Sequence, residues 1–547
     1  MSMPDMTTRI FVNGGVFDGV RHQTGTAVAT ARGRIVAIGS PREVRAAAGD
    51  GAVEVDLAGG LLAPGFQDAH LHPLIGGLEQ TRCDLSALSS REEYLDAIKR
   101  YADDHPEAGW IRGGGWSLAA FPAEAPSVAD LDAVVPDRPV FLPSSDHHDA
   151  WVNSKALALA GVGADTPDPD DGWLIRGDDG GLEGTLREAA MALVGDHVVT
   201  SREEYADALR HAQRFLHSHG ITGWHDALLG GYAGIDDPTR SYLDLLSSGE
   251  LVSRVRGALW WDRHRGVEQV RELAERRTEL ARQGLDTSTV KLMADGISET
   301  GTAAVTEPYT NLPFCSCGEH GLSFLSVDDF RAAVEAADTA GFQVHVHAIG
   351  DRAVGDALDA IEHARRVNGM NDLRHQIAHL QLIRPEDRAR FRRLGVVANL
   401  EGLWASAETP AVTLLEPHLD EERRGWQYPF ADIAEQGGRL AGGSDWPVNT
   451  PSPIAAIHTL VNRRSPGAGS SVRALVPAQA LTLRQAFATY TSGSAYANHH
   501  DDTGHLQVGM RADLVVLDRD PFTGPTEEIG EAAVVATYIG GDVVYTG

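Results

Sequence analysis

Six residues spread along the chain carry donor chemistry suited to a metal ion: His70, His72, Lys291, His347, His379 and Asp445. The first two sit in PGFQDAHLHP, a His-x-His at the end of an apolar run. Alternate residues of a strand face the same side, so both imidazoles can reach one ion. The other four recur in VKLMADG, VHVHAIGD, QIAHLQLI and GGSDWP, each near the end of a strand-like run. A parallel barrel builds sites this way, taking one or two groups from each of several strand ends. Histidine offers a neutral ring nitrogen and aspartate a hard oxygen, a combination that suits zinc or a similar divalent ion. A protonated lysine is a poor ligand. Buried near cations its pKa falls, and the neutral amine can react with carbon dioxide to give a carbamate, which can bridge two ions.

Strand and helix signals alternate through the middle of the chain, which predicts an α/β fold with a parallel sheet. The candidate strands are LLAPGFQDAH, PVFLPSS, ITGWHDA, RVRGALWW, TVKLMADG, FQVHVHA, RHQIAHL, VVANLEG and RLAGGSD. That is one too many for an eight-stranded TIM-type (β/α)8 barrel. The gap between the first and third is very long for one β/α connection. Residues 85–200 are therefore read as an insertion after barrel strand 1, with PVFLPSS inside it. His70 and His72 then follow strand 1, Lys291 lies on strand 4, His347 on strand 5, His379 on strand 6 and Asp445 on strand 8. Helices between strands are well marked: in SVDDFRAAVEAADTAG, Ser326 and Asp329 form a capping-box pattern, Phe330, Val334 and Ala337 an apolar stripe, and Gly341 a stop. Residues 1–62 and 501–547 read as short β-runs broken by glycine turns, the first all-β from residue 7. Neither is long enough for a good core alone. They are expected to pair into one small β-sandwich flanking a 63–500 barrel.

Lys plus Arg is 47 and Asp plus Glu is 77 among 547 residues, a formal charge of −30. So acidic a surface argues against nucleic acid or an anionic membrane as partner. Three cysteines cannot build a disulfide framework, the start lacks a signal-peptide pattern, and no apolar stretch approaches a membrane span. A cytoplasmic protein with a small-molecule substrate is the expectation. Its oligomeric state is left open, a homodimer included.

The five motifs above resemble the metal motifs of the amidohydrolase superfamily. More narrowly they resemble amidohydrolase family 3, which includes N-substituted formamide deformylases, and GMRADLVVLD resembles its C-terminal β-segment. The resemblance covers nearly the whole chain, and the joint order and spacing are what make it specific. It implies that His70, His72 and Asp445 hold one ion, that His347 and His379 hold a second, and that Lys291, if carboxylated, bridges them. One departure is that Ala378 stands before His379 where the family often has Glu. The resemblance further implies a hydrolase in which a divalent ion, zinc by expectation, activates water. Asp445 shuttles the proton and His148, in SSDHHDAWVNSKAL, steadies the substrate carbonyl. Trp116 and Asn153 join His148 on the substrate side, Asn153 chiefly by fixing its loop.

Other residues have ordinary readings beside functional ones. His345 lies on the same strand face as His347, so periodicity cannot choose between them; the resemblance favours His347 as ligand and His345 as its support. An ion pair with Asp295 is the ordinary reading of Lys291, and a helix N-cap that of Asp445. His147, His225 with Asp226, and Glu183 read as structural polar groups and His363 as a solvated helix residue. Cys315, Cys317 and His320 lack the second pair a zinc knuckle needs. Trp116, Phe121, Trp151, Trp173, Trp404 and Trp446 fall in segments expected near the barrel mouth. Any that face the pocket would favour a bulky or aromatic substrate. The leading expectation is cleavage of a linear amide, an N-acyl or N-formyl amine. Cyclic amides, carbamates, esters and deamination on the same centre are alternatives, as is a scaffold that has lost its chemistry.

Overall fold

The computed structural model describes residues 7–121, 126–169, 171–231, 235–310, 318–469 and 471–547. Eight parallel strands follow one another in chain order around a barrel: β1 Phe66–Leu71, β2 Ile221–Leu229, β3 Arg254–Trp260, β4 Asp286–Met293, β5 Gln343–Ala348, β6 Gln376–His379, β7 Val397–Glu401 and β8 Arg439–Gly443. β1, β5, β6 and β7 are buried along their whole length, as strands covered by helices on one side and barrel core on the other must be. The barrel is nearly closed. Seven strand pairs form parallel ladders, three of them with register shifts, and β8 meets β1 just past their ends. There the backbone N–H groups of Ser444 and Asp445 donate to the His70 carbonyl at 3.1 and 2.8 Å, and the His72 N–H donates to the Trp446 carbonyl at 2.8 Å. The seam therefore runs through the residues that carry chemistry.

Helices between strands bury one face each. Helix Val327–Thr339 starts at Ser326, whose Oγ accepts the Asp329 N–H at 3.1 Å, and buries Phe330, Val334 and Ala337. Gly341 follows with φ +74°, a conformation glycine adopts without penalty. His363 lies in helix Asp351–Asn368 but is not simply solvated, because its Nε2 lies 2.7 Å from Glu335 Oε2 on the neighbouring helix.

PVFLPSS contributes Val140–Pro143 to a separate six-stranded sheet between β1 and β2, with Cys83–Asp84, Ile111–Gly114, Asp149–Val152, Gly172–Arg176 and Leu182–Glu188. Two further sheets come from the chain's ends. One pairs Arg9–Val12 with Ala27–Ala31 and Val53–Asp56. In the other, Leu61–Pro64 lies between Gly15–Phe17 and Leu514–Leu517, so residues far apart in sequence share a sheet. A single apolar cluster containing Phe11, Val16, Val28, Leu62, Leu514 and Tyr538 joins both sheets. Residues 7–62 are not wholly β. Ser40, Pro41 and Glu43 form a complete capping box with proline in the first turn, and Pro41–Ala48 is a helix. No helix among the described residues is long and apolar enough to cross a membrane.

Two glycines end β8 because side chains would not fit. A Cβ on Gly442 would lie 2.6 Å from the Tyr490 ring, and one on Gly443 2.7 Å from His70 Cβ and 3.0 Å from Asn399 Oδ1. Gly443→Val is expected to lower stability by about 1–3 kcal/mol, the usual cost of overpacking. Thermal melting against wild type measures this, and an unchanged melting temperature would contradict the packing described.

Candidate metal centre

Strands β1, β4, β5, β6 and β8 bring all six predicted donors to one end of the barrel. Parallel register sets His345 beside Lys291, and His347 between Met293 and Ala378. His70 Nε2 and His72 Nε2 lie 3.2 and 3.3 Å from the same oxygen, Asp445 Oδ1. Lys291 Nζ lies 3.5 Å from His70 Nε2, and His379 Nδ1 lies 3.9 Å from Asp445 Oδ2. The ring centroids of His347 and His379 are 4.3 Å apart. Neither ordinary reading survives. Asp295 receives the backbone N–H groups of Ala304, Ile349 and Gly350, not Lys291, and Asp445 points into the cluster instead of capping a helix.

The electrostatics suit metal donors. Burial, reinforced by neighbouring cationic groups, holds the pKa values of His70, His347 and His379 well below the usual imidazole range. Their rings are therefore neutral, with a lone pair to give. Burial lowers the Lys291 amine to about 8 against the opposing pull of Asp445 and Glu401. Burial also opposes ionisation of Asp445, but the hydrogen bond from His72 and the surrounding histidines and Lys291 outweigh it and hold the carboxyl at about 2. Both ring nitrogens of His379 and Oε1 of Glu401 are buried without a hydrogen-bond partner. Such orphaned groups cost about 1–3 kcal/mol each. Two sets of donor atoms, His70/His72/Asp445 and His70/His379/Glu401, each lie within 4.8 Å of one another. A divalent ion fits this donor set and would give one ring nitrogen of His379 a partner.

His345 stands below this layer, its Nε2 2.8 Å from His70 Nδ1. His225 lies against Gln376 in the barrel interior, and Asp226 accepts the hydroxyl of Tyr242 from helix Thr239–Ser248, so both have structural partners. The centre opens into a cavity of about 240 Å³ lined also by His147, His148, Trp260, Met293, Glu299 and Trp404. His148 comes from the β1–β2 connection. Its Nδ1 lies 2.9 Å from both oxygens of Glu188, and Thr302 Oγ1 donates to that carboxylate at 3.1 Å. Burial disfavours the His148 imidazolium, but the charge and hydrogen bond of Glu188 prevail and raise it to about 9.

Two residues expected at the substrate do not reach the cavity. Trp116 is fully buried, donates its indole N–H to the Leu142 carbonyl at 2.7 Å, and packs edge-on against Phe121 and Trp151. Asn153 accepts the N–H groups of Val140 and Ala156 and donates to the carbonyls of Val135 and Arg138, so it has no hydrogen bond to spare. It fixes the loop before His148's strand partner instead of touching substrate. Of the six aromatics, Trp404 alone lines the cavity; Trp446 packs on Phe215. Cys315 and Cys317 lie outside the described residues. Sequence reasoning missed Glu401, Glu188, Glu299 and Trp260. The acid closing the apolar run VVANLEG was a usable signal for Glu401. Glu188 shares the strand Leu182–Glu188 with Glu183, which reads as a structural polar group, and nothing in the segment set Glu188 apart.

A parallel barrel with such a donor cluster at the strand ends defines a metal-dependent hydrolase. The profile of the amidohydrolase family matches residues 53–545, and the chain belongs to that family. It acts as a hydrolase of carbon–nitrogen bonds. It is 31% identical over 535 residues to Protein LONG AFTER FAR-RED 3 of Arabidopsis thaliana, covering 95% of this chain and 88% of the relative. It is 28% identical over 538 residues to the N-substituted formamide deformylase of Arthrobacter pascens, covering 96% of each. An uncharacterized metal-dependent hydrolase from Pyrococcus furiosus superposes with a TM-score of 0.70 at 26% identity, over 94% of this chain and 100% of that one.

The His148–Glu188 pair gives a pH prediction. Its stabilising contribution is complete below the ordinary histidine pKa of 6.5 and is lost as pH rises through about 9. Glu188→Gln removes the largest raising influence, while Asp146 and Glu299 remain, and is expected to lower the His148 pKa from about 9. An NMR titration in which His148 of the variant still titrates near 9 would contradict this.

Proposed function

We propose that the protein hydrolyses a linear amide, an N-acyl or N-formyl amine whose amine side carries a bulky or aromatic group. The observation that carries the reading is the meeting of His70 and His72 on one carboxylate, Asp445, with Lys291 against His70 and with His347 and His379 ring to ring beside them. We assign His70, His72 and Asp445 to one ion and His347 and His379 to a second, with Lys291 as a carboxylated bridge, and zinc as the metal. When bound, such ions supply Lewis-acid polarisation and a water acidic enough to act as nucleophile near neutral pH.

The chain's own residues do the rest. His70, His347 and His379 stay neutral and keep their lone pairs directed into the centre. Asp445 stays ionised, accepts the proton released by the attacking water, and returns it to the leaving nitrogen. His148, held protonated by Glu188, donates toward the carbonyl oxygen as negative charge develops there. Leu88, Leu118, Trp260, Met293, Trp404 and Leu414 line the cavity and favour an apolar substituent. The formamide deformylase named among the relatives supports an N-formyl substrate. We read residues 1–62 and 501–547 as one β-sandwich and 63–500 as the catalytic barrel with its insertion at 85–200. We place the enzyme in the cytoplasm, with a homodimer as the assembly to test.

Release of free amine from a panel of N-formyl and N-acyl amines tests the substrate class. Chelation is expected to abolish release, and zinc or manganese to restore it. His72→Asn should lower turnover at least about 100-fold, more than loss of an outer partner typically costs, while circular dichroism stays that of the folded barrel. Full activity in that variant, or amine release untouched by chelation, refutes the assignment.

A further inference from the structure

We infer that Glu401, which the resemblance gives no role, is the positioning residue that fixes both the ring and the backbone of His379. The inference rests on the reading of His379 as a metal donor. Glu401 ends β7 and is fully buried. Its Oε2 accepts the His379 backbone N–H at 2.8 Å, and its Oε1 lies 3.6 Å from His379 Nδ1. One carboxylate thus reaches the main chain and the ring of a single histidine. The barrel makes room for it. Glu401 pairs in register with Gly443 on β8, where any Cβ would come within 3.2 Å of Oε1.

His379 needs such a hold. Its φ is +77° and that of Leu380 is +57°, two successive left-handed residues that are not glycine. Backbone in that region costs of order 1–3 kcal/mol per residue and persists only where its surroundings impose it. The bond to Glu401 ties down the N–H of the first of these residues. Trp404 stacks on the ring at 5.3 Å with planes 14° apart, which limits its tilt.

Tautomer logic completes the assignment. A histidine that gives one nitrogen to a metal carries its proton on the other, and the acceptor met by that N–H sets the ring's orientation. His70 has His345 for this task. Near Nδ1 of His379 lie Glu401 Oε1 at 3.6 Å and Asp445 Oδ2 at 3.9 Å. Asp445 already serves His70 and His72, whereas Glu401 Oε1 accepts no hydrogen bond, and the other ring nitrogen near it, His70 Nδ1 at 4.0 Å, is already paired with His345. Nδ1–H therefore belongs to Glu401, and Nε2 is the nitrogen offered to the ion. The task needs two acceptor oxygens on one group. Glutamine has the same shape but one acceptor, so it must turn its NH₂ toward either the backbone N–H or the ring N–H.

The test compares wild type, Glu401→Gln and Glu401→Asp for metal content, for zinc affinity by chelator competition, and for the visible spectrum of the Co²⁺-substituted proteins. Melting of the metal-free forms reports folding separately. Glu401→Gln is expected to weaken zinc binding about 10–100-fold and to shift the Co²⁺ bands, with Glu401→Asp intermediate. Wild-type affinity and an unchanged Co²⁺ spectrum in Glu401→Gln overturn the role of Glu401 alone. A wild-type protein that binds no metal overturns the metal reading beneath it. If Glu401→Gln does not fold, Glu401→Asp decides: intermediate affinity supports the role, and affinity and spectrum identical to wild type reject it.

Discussion

A carboxylate buried among imidazoles and an amine is the constraint around which this molecule is organised. Asp445 shares its oxygens among His70, His72 and His379, and Lys291 lies against His70. In a low-dielectric interior each of these groups would be expensive alone, and together they are tolerable only in a narrow geometry. The barrel supplies that geometry through backbone bonds. Ser444 and Asp445 donate to the His70 carbonyl, and Asp68 Oδ1 accepts the His70 N–H at 2.9 Å and the Ser444 N–H at 3.3 Å. β1 and β8 are therefore joined by the same residues that meet in the centre. Chemistry and closure of the barrel depend on one set of contacts.

Around that centre the fold places a layer of partners whose work is orientation. His345 holds His70, Asp295 gathers three backbone N–H groups beside His347, and Thr302 steadies Glu188, which in turn steadies His148. The last of these chains crosses from the barrel into the long β1–β2 connection. That connection is thus more than cover, because it carries His148 into the cavity lining while the barrel strands carry the metal donors.

Much of this was legible in the sequence for a physical reason. A barrel presents functional groups at strand ends, so each donor follows an apolar run and the order of motifs gives the order of strands. The His-x-His of β1 and the separation of PVFLPSS from the barrel both follow from period and spacing. What stayed hidden depends on contacts between distant segments. Trp116 and Asn153 sit in the right stretch, but only packing shows that their polar atoms are spent on backbone groups. Glu188 and Glu401 are single acids whose meaning comes from the histidine each one meets. The helix Pro41–Ala48 was readable from Ser40, Pro41 and Glu43, yet the flanking β-runs drew attention away from that local signal.

The sheet that holds Leu61–Pro64 has a consequence for how the chain is made. That strand runs into β1 with only Gly65 between them, yet one of its two neighbours is Leu514–Leu517. On the ribosome all eight barrel strands emerge before that neighbour does. The nascent chain must carry an open, apolar strand edge beside its first barrel strand until residues 514–517 have been made. Unpaired edges of this kind invite association with other chains. For this architecture, the interval between synthesis of Leu61–Pro64 and of Leu514–Leu517 is when assistance from a chaperone matters most.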